Sequence, residues 1–341
     1  PTLALTSLQT QKEWIEHLRK EILKDKRIRL NEGSLEVGKG LSLVVNSKGT
    51  HQLESETYCA WSLMAMAADS ETLTSFDYFS NIARQSTRLG DHIVQTTARF
   101  RESLLKNLKT GTAPSYKGKV VFSPRAVLDI LIEPLCYHLN GRVILEGSSR
   151  WNLQTLGEQV LSPLITLRDT AWLADRFSCG TFDREGTPTQ NLQMIESGVL
   201  GKLFLDHYSA KGLHQTSTGH ASGGSSSLPS VGPHTLLVAP GTTPLSELMR
   251  HSHSNAGGLL LVHRFSGQTD PVTGDFSGVA KGAEWWVNGE FQFCVKETLI
   301  SGNVFECLSQ SLLALSAETS ILDSGSESPA VLIDGISVTS G

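Results

Sequence analysis

Cysteine is scarce, long apolar runs are missing and positive charge is not in excess, and each shortage excludes something. The five cysteines, at 59, 136, 179, 294 and 307, are odd in number, scattered, and nowhere spaced as CxxC. That argues against a disulfide scaffold or zinc knuckle and for reduced, buried thiols in a cytoplasmic protein. Cys136 and Cys294 sit among apolar neighbours, which suits a core better than a reactive site. No apolar stretch reaches the roughly eighteen residues that a membrane span needs, and no apolar signal core stands at the N-terminus. The formal net charge of −5 offers no basic surplus for direct nucleic-acid binding. The cation-rich run from Lys20 to Arg29 also carries Glu21 and Asp25 and reads as a solvated helix end.

With 341 residues, 39% hydrophobic and 18% charged, the chain suits a soluble globular protein of two domains, or one large domain with an appendage. Residues 7–25 read as an amphipathic helix with Leu8, Ile15, Leu18 and Ile22 on one face. A long antiparallel hairpin follows, from Leu41 through a Lys48-Gly49 turn to Glu54–Ala67. Helix is predicted again over about 71–109, closed by Gly111. Beyond a polar joint at 111–119 come a strand at 120–122, a Ser123-Pro124 helix start and a buried helix over about 124–138. Residues 219–227 read as a Gly/Ser-rich surface loop. Short strands are then expected at 236–238, 258–263, 283–287 and 290–295, a helix at 303–316 and a last strand at 330–333. The pattern is α+β, with an antiparallel C-terminal third.

The most informative stretch is 273–290, TGDFSGVAKGAEWWVNGE. Glycines there permit positive φ, while Phe276, Trp285 and Trp286 demand burial. Asn288-Gly289 between alternating strands marks a two-residue hairpin turn, and the Trp pair reads as a plug for a sheet and a subunit interface.

This stretch resembles a signature of the TldD/PmbA family, once called modulators of DNA gyrase, and an ordered series of blocks accompanies it. Ser178 to Thr189 (SCGTFDREGTPT), Ile195–Leu200, Thr216–Gly219 (TSTG), Pro240-Gly241, Ile300–Asn303 and Ser328-Pro329 are similar to further family blocks in the family's order. The resemblance covers about 110–335. It implies a PmbA/TldD-like α+β fold: a helix–hairpin–helix region at 1–110, a central region at 111–215 and a β-rich C-terminal domain at 216–341. The family's N-terminal α/β segment is expected to be missing.

The catalytic TldD branch resembles a zinc metallopeptidase whose His-Glu-x-x-x-His helix and a later cysteine hold the metal. Two neutral imidazoles bind zinc there, and the glutamate takes a proton from metal-bound water. The matching stretch here is Ile132-Glu133-Pro134-Leu135-Cys136-Tyr137, so Ile132 and Tyr137 replace the histidines and only Glu133 remains. No cysteine stands at 320–328. Pro134 is expected to kink the helix. His138 lies five positions from Glu133, about 140° around a helix, so the two do not converge on one metal.

The resemblance therefore points to the non-catalytic TldE/PmbA branch: no catalytic residue and no bound cofactor in this chain, and zinc in a TldD-like partner. The implied role is processing of unfolded or extended peptides, as a heterodimer with that partner or as a homodimer. Alternatives are an active peptidase with unconventional ligands and a gyrase-modulator-type binding module. Asp183, Glu185 and Asp275 read mainly as turn-fixing carboxylates. Together with Thr218, Gly219 and Asn288 they are the substrate or structural candidates. His214 and His220 flank the TSTG turn, as cavity residues or ordinary surface histidines; His251 and His253 form an HSH pair that suits chelation on a strand but reads rather as a Ser/Asn-rich loop or helix end. The segments 290–295 and 258–263 are candidate sheet edges for peptide capture.

Overall fold

The computed structural model describes residues 3, 6–84, 88–173, 180–250, 256–322 and 325–340. His251, His253, Ser178 and Cys179 lie outside the described residues.

The N-terminal part is a three-stranded antiparallel sheet, Ile28–Val45, His51–Ala67 and Asp77–Ala83, carrying helices Leu8–Ile22 and Leu89–Lys106. Ser7 caps the first helix by accepting from the Thr10 amide at 3.0 Å. Its buried stripe differs from the expected one, because Leu8 is 68% and Ile15 37% exposed. Counting back from Ile22 in steps of four gives Leu18 and then Trp14, and these three are buried. The hairpin is present, but its first strand begins at Ile28 rather than Leu41. Along the second strand Cys59, Trp61, Leu63, Ala65 and Ala67 alternate into the core, the period-two signature of a one-sided sheet.

The helix expected over 71–109 is a correction. Asp77–Ala83 is a strand whose Phe79 pairs with Leu63, and helix starts only at Leu89. Ladder pairing with the open edge of the hairpin decides that segment over local propensity. Gly111 does not close the helix, which ends at Lys106 with Asn107 as its cap. It pairs with Val295, where an added Cβ would meet the Phe293 ring at 2.7 Å. Glycine stands there for close packing rather than for capping.

Among the described residues the C-terminal part is built on a fourteen-stranded, mostly antiparallel sheet. Tyr116–Phe122 runs parallel to Leu259–Val262 on one side and antiparallel to Glu327–Thr339 on the other. Val120, Phe122, Leu260, Val262, Val331 and Ile333 enter one core. Their neighbours Val121, Leu259, Leu261, Ala330 and Leu332 enter another on the opposite face. Strands buried on both faces carry continuous apolar runs. For the same reason 258–263 is not an edge: it is central, with Glu284–Val287 on its second side. Glu290–Val295 is nearer an edge, since among the described residues its outer side pairs only at Cys294 and Val295 with Thr110-Gly111. The helix expected at 303–316 stops at Ser309, and Leu312–Ile321 is a strand against Glu327–Thr339. Asn288 (φ 52°) and Gly289 (φ 81°) form the predicted two-residue turn between Val287 and Glu290. Trp285 is buried against Tyr116 in the chain's own core.

Candidate functional site

The motif helix starts where expected, with the Ser123 hydroxyl facing the Ala126 amide and Pro124 in the first turn. It runs as Pro124–Ala126, a π-helical segment Val127–Ile132, and Glu133–Leu139. Pro134 has no N–H to return to the preceding turn, and the wider π register just before it absorbs that loss without ending the helix. The register decides what the motif positions can do. Ile132 is fully buried with Ile130, Leu131 and Leu135 in the main core. Glu133 is exposed, and Tyr137 is half-buried.

His138 is buried among Tyr137, Trp151 and Phe305. Its Nδ1 accepts from the Arg150 amide at 3.1 Å. Its Nε2 has no hydrogen-bond partner of good geometry among the described residues. Burial, then the Arg150 charge, pull its pKa below the ordinary range; the nearby Val272 and Pro271 backbone opposes this without prevailing. One exposed carboxylate, a phenol and a buried isoleucine do not form a zinc site, and Glu133 and His138 face different surroundings. The family's metal does not fit at these positions.

The remaining candidates separate into turns and one cluster. Asp183 is buried; its Oδ1 accepts from the amides of Glu185 (2.9 Å) and Thr187 (2.8 Å), and its Oδ2 from Ala221 (3.0 Å). It fixes a tight bend whose Gly186 has φ 80°. Glu185 Oε2 accepts from the His207 amide at 2.9 Å, at the start of helix His207–Gly212. Asp275 accepts from Asn303 Nδ2 at 2.8 Å on an exposed strand end. Thr218 Oγ1 accepts from the Leu205 amide at 2.8 Å, and Gly219 makes the turn at φ 73°. His214 is exposed, whereas His220 is fully buried.

His220 belongs to a cluster that local patterns did not reveal. Its Nε2 lies 2.8 Å from Asp169 Oδ2, at the end of strand Leu167–Asp169. The His234 ring lies beside it, tilted by 42° with centroids 4.5 Å apart, just ahead of strand Leu236–Val238. Asp169, His220 and His234 each offer one ligand atom, and these atoms all lie within 4.8 Å of one another. Asp169 Oδ1 accepts from the His234 amide at 2.9 Å. His234 lines a cleft of about 510 Å³ bordered by Glu54, Arg84, Asp183 and Arg184, between the hairpin and the 180–186 bend. Fifty-one residues separate Asp169 from His220, and only the folded sheet joins them.

A second unforeseen group is Glu284, inside the stretch 273–290. It is buried; Oε1 lies 2.9 Å from Lys106 Nζ and 3.3 Å from His263 Nε2, while Oε2 accepts from Trp286 Nε1 at 2.9 Å.

Residues 115–340 match the family model described as the PmbA/TldA metallopeptidase C-terminal domain. An uncharacterized protein of Methanocaldococcus jannaschii is 28% identical over 299 residues, which are 86% of this chain and 66% of that protein. The metalloprotease PmbA of Escherichia coli O157:H7 is 29% identical, covering 82% of this chain and 59% of its own length. The chain thus spans less than two thirds of these curated relatives. The fold is similar to that of TldE from Thermococcus kodakarensis (TM-score 0.86, 20% identity, 99% of this chain and 76% of that one). It is also similar to a putative DNA gyrase modulator from Thermotoga maritima (TM-score 0.83, 22% identity, 98% and 75%). The α+β architecture, the ordered sequence blocks and a family match over most of the chain place it together with these proteins: it belongs to the PmbA/TldD family.

Proposed function

We propose that this chain is a non-catalytic, TldE/PmbA-like subunit of a peptide-processing metalloprotease whose zinc chemistry resides in a TldD-like partner. The observation that carries the reading is the motif helix: where two imidazoles would hold zinc, Ile132 is packed in the core and Tyr137 carries a phenol, beside an exposed Glu133. A subunit without a hydrolytic centre still has a physical part in such an assembly. Among the described residues the outer side of Glu290–Val295 has strand pairing only at Cys294 and Val295, and an extended peptide can add to such an edge through main-chain hydrogen bonds.

The test is co-purification of the chain from its native cell, followed by peptidase assay of the complex and of the chain alone. Cleavage of an unfolded peptide by the complex only is the expected result. Turnover by the isolated chain, abolished by Glu133→Gln, would sink the proposal. Recovery of a topoisomerase without any TldD-like protein would favour a regulatory module instead.

A further inference from the structure

We infer that Asp169, His220 and His234, none of them a residue of the degenerate motif helix, form a binding site for a zinc-class divalent cation. The argument starts from the outer nitrogens of the two rings. His234 Nε2 lies 2.7 Å from the Gly219 carbonyl oxygen, so it carries the proton and donates. His220 Nδ1 lies 2.9 Å from the Thr218 carbonyl oxygen. The Thr218 hydroxyl, also 2.9 Å from that nitrogen, has another acceptor in the Leu205 carbonyl at 3.2 Å. Nδ1 of His220 therefore donates to the Thr218 carbonyl. Each ring is oriented by a hydrogen bond from its far nitrogen to a backbone oxygen, the arrangement that fixes the tautomer of metal-binding histidines.

The consequence lies on the inner side. With Nδ1 protonated, neutral His220 presents an Nε2 lone pair to the Asp169 carboxylate at 2.8 Å, and both side chains are fully buried. Two acceptors cannot face each other there without a cation. With Nε2 donating, His234 Nδ1 is likewise the ring nitrogen left with a lone pair. Two imidazole nitrogens and one carboxylate oxygen suit a borderline metal such as zinc better than calcium or magnesium, which prefer all-oxygen shells. Ligands about 2.1 Å from a tetrahedral ion sit about 3.4 Å apart, so the Asp169–His220 pair has to open by about 0.6 Å. The cleft lined by His234 gives the ion a route in. Once bound, it ties together three separate segments: the strand end at 169, the TSTG turn before 220, and the approach to strand 236–238.

A proton is the rival occupant, making His220 an imidazolium paired with Asp169, and the experiment separates the two. Tag-free full chain is stripped with chelator, reloaded with zinc and passed through gel filtration before elemental analysis. Cobalt(II) is loaded in parallel, because its visible absorption reports nitrogen ligation in a near-tetrahedral site. The expected result is one zinc per chain in the wild type and in Glu133→Gln. Affinity should fall at least about tenfold in His234→Gln, and zinc should raise the melting temperature of the wild type but not of that variant. His234→Gln is chosen because this ring is only partly buried; circular dichroism confirms its folding. Absence of retained zinc together with an unchanged melting temperature would overturn the site in favour of the imidazolium. So would zinc that survives His234→Gln and is lost in Glu133→Gln. Peptidase activity of the chain alone would count against the proposed function and leave this site untouched.

Discussion

Lys106 Nζ lies 2.9 Å from Glu284 Oε1, joining the last turn of an N-terminal helix to the strand Glu284–Val287 of the C-terminal sheet. Burial by itself would raise the Glu284 pKa, but His263 and then Lys106 outweigh it and hold the carboxyl at about 2, against an ordinary 4.5. A pKa depressed on folding means that the unfolded chain binds the proton first. The stabilisation from Glu284 is therefore complete above about pH 4.5 and is lost as pH falls toward 2. Urea unfolding across that window should show a stability loss that Glu284→Gln flattens. Lys106→Met should cost about 1–3 kcal/mol near neutral pH, toward the low end because the lysine is partly solvated.

Gly219→Ala tests the TSTG turn. The residue has φ 73°, and an added Cβ would lie 2.5 Å from the Pro188 carbonyl oxygen and 3.0 Å from Thr189 Cα. Left-handed backbone alone costs a non-glycine residue about 1–3 kcal/mol, and here the obstructing atoms are main chain. Gly224→Ala, where nothing lies within 4 Å, is the control and should change stability by less than about 0.5 kcal/mol. Differential scanning calorimetry of the pair reads out the contrast.

Asp183 accepts three backbone amides, and Asp183→Ala would orphan all of them. A loss of at least about 2 kcal/mol is expected, with increased amide exchange at Glu185, Thr187 and Ala221. Asp183→Asn keeps one acceptor oxygen and should lose less. If the alanine variant were as stable as the wild type, the turn-fixing role would be wrong.

Burial pushes the thiols of Cys59, Cys294 and Cys307 up to about 12. Thiolates are the reactive species, so these three should resist iodoacetamide in the native protein at mildly alkaline pH. They should label fully in denaturant. Mass spectrometry of digests gives the answer site by site.

Local chemistry was legible in the sequence where a short segment settles its own conformation. Asn288-Gly289 supplies two positive φ angles, and Ser123-Pro124 starts a helix, because neighbours alone fix those choices. Residues 77–83 and 312–321 depart from their local helical pattern because distant strands decide them: Phe79 pairs with Leu63, and Leu315 with Val331. Trp14 joins the buried stripe because it lies one and two turns before Leu18 and Ile22, whereas Leu8 falls on the solvated side. The grouping of Asp169 with His220 and His234 had no local signal, since each residue stands alone in its own stretch. Pro134 predicts a disturbed helix from its missing N–H alone, and the disturbance takes the form of a π-helical segment just before it.

The hairpin Ile28–Val45/His51–Ala67 has one end fixed among helices and the other at the 180–186 bend, where Gly186 packs against Thr50 and Val44. Seventeen extended residues reach at most about 55 Å, so the hairpin acts as a strut held at both ends. Two strands that start among the N-terminal helices thereby supply one wall of the cleft that His234 lines, and Gly180, Asp183 and Arg184 supply the other.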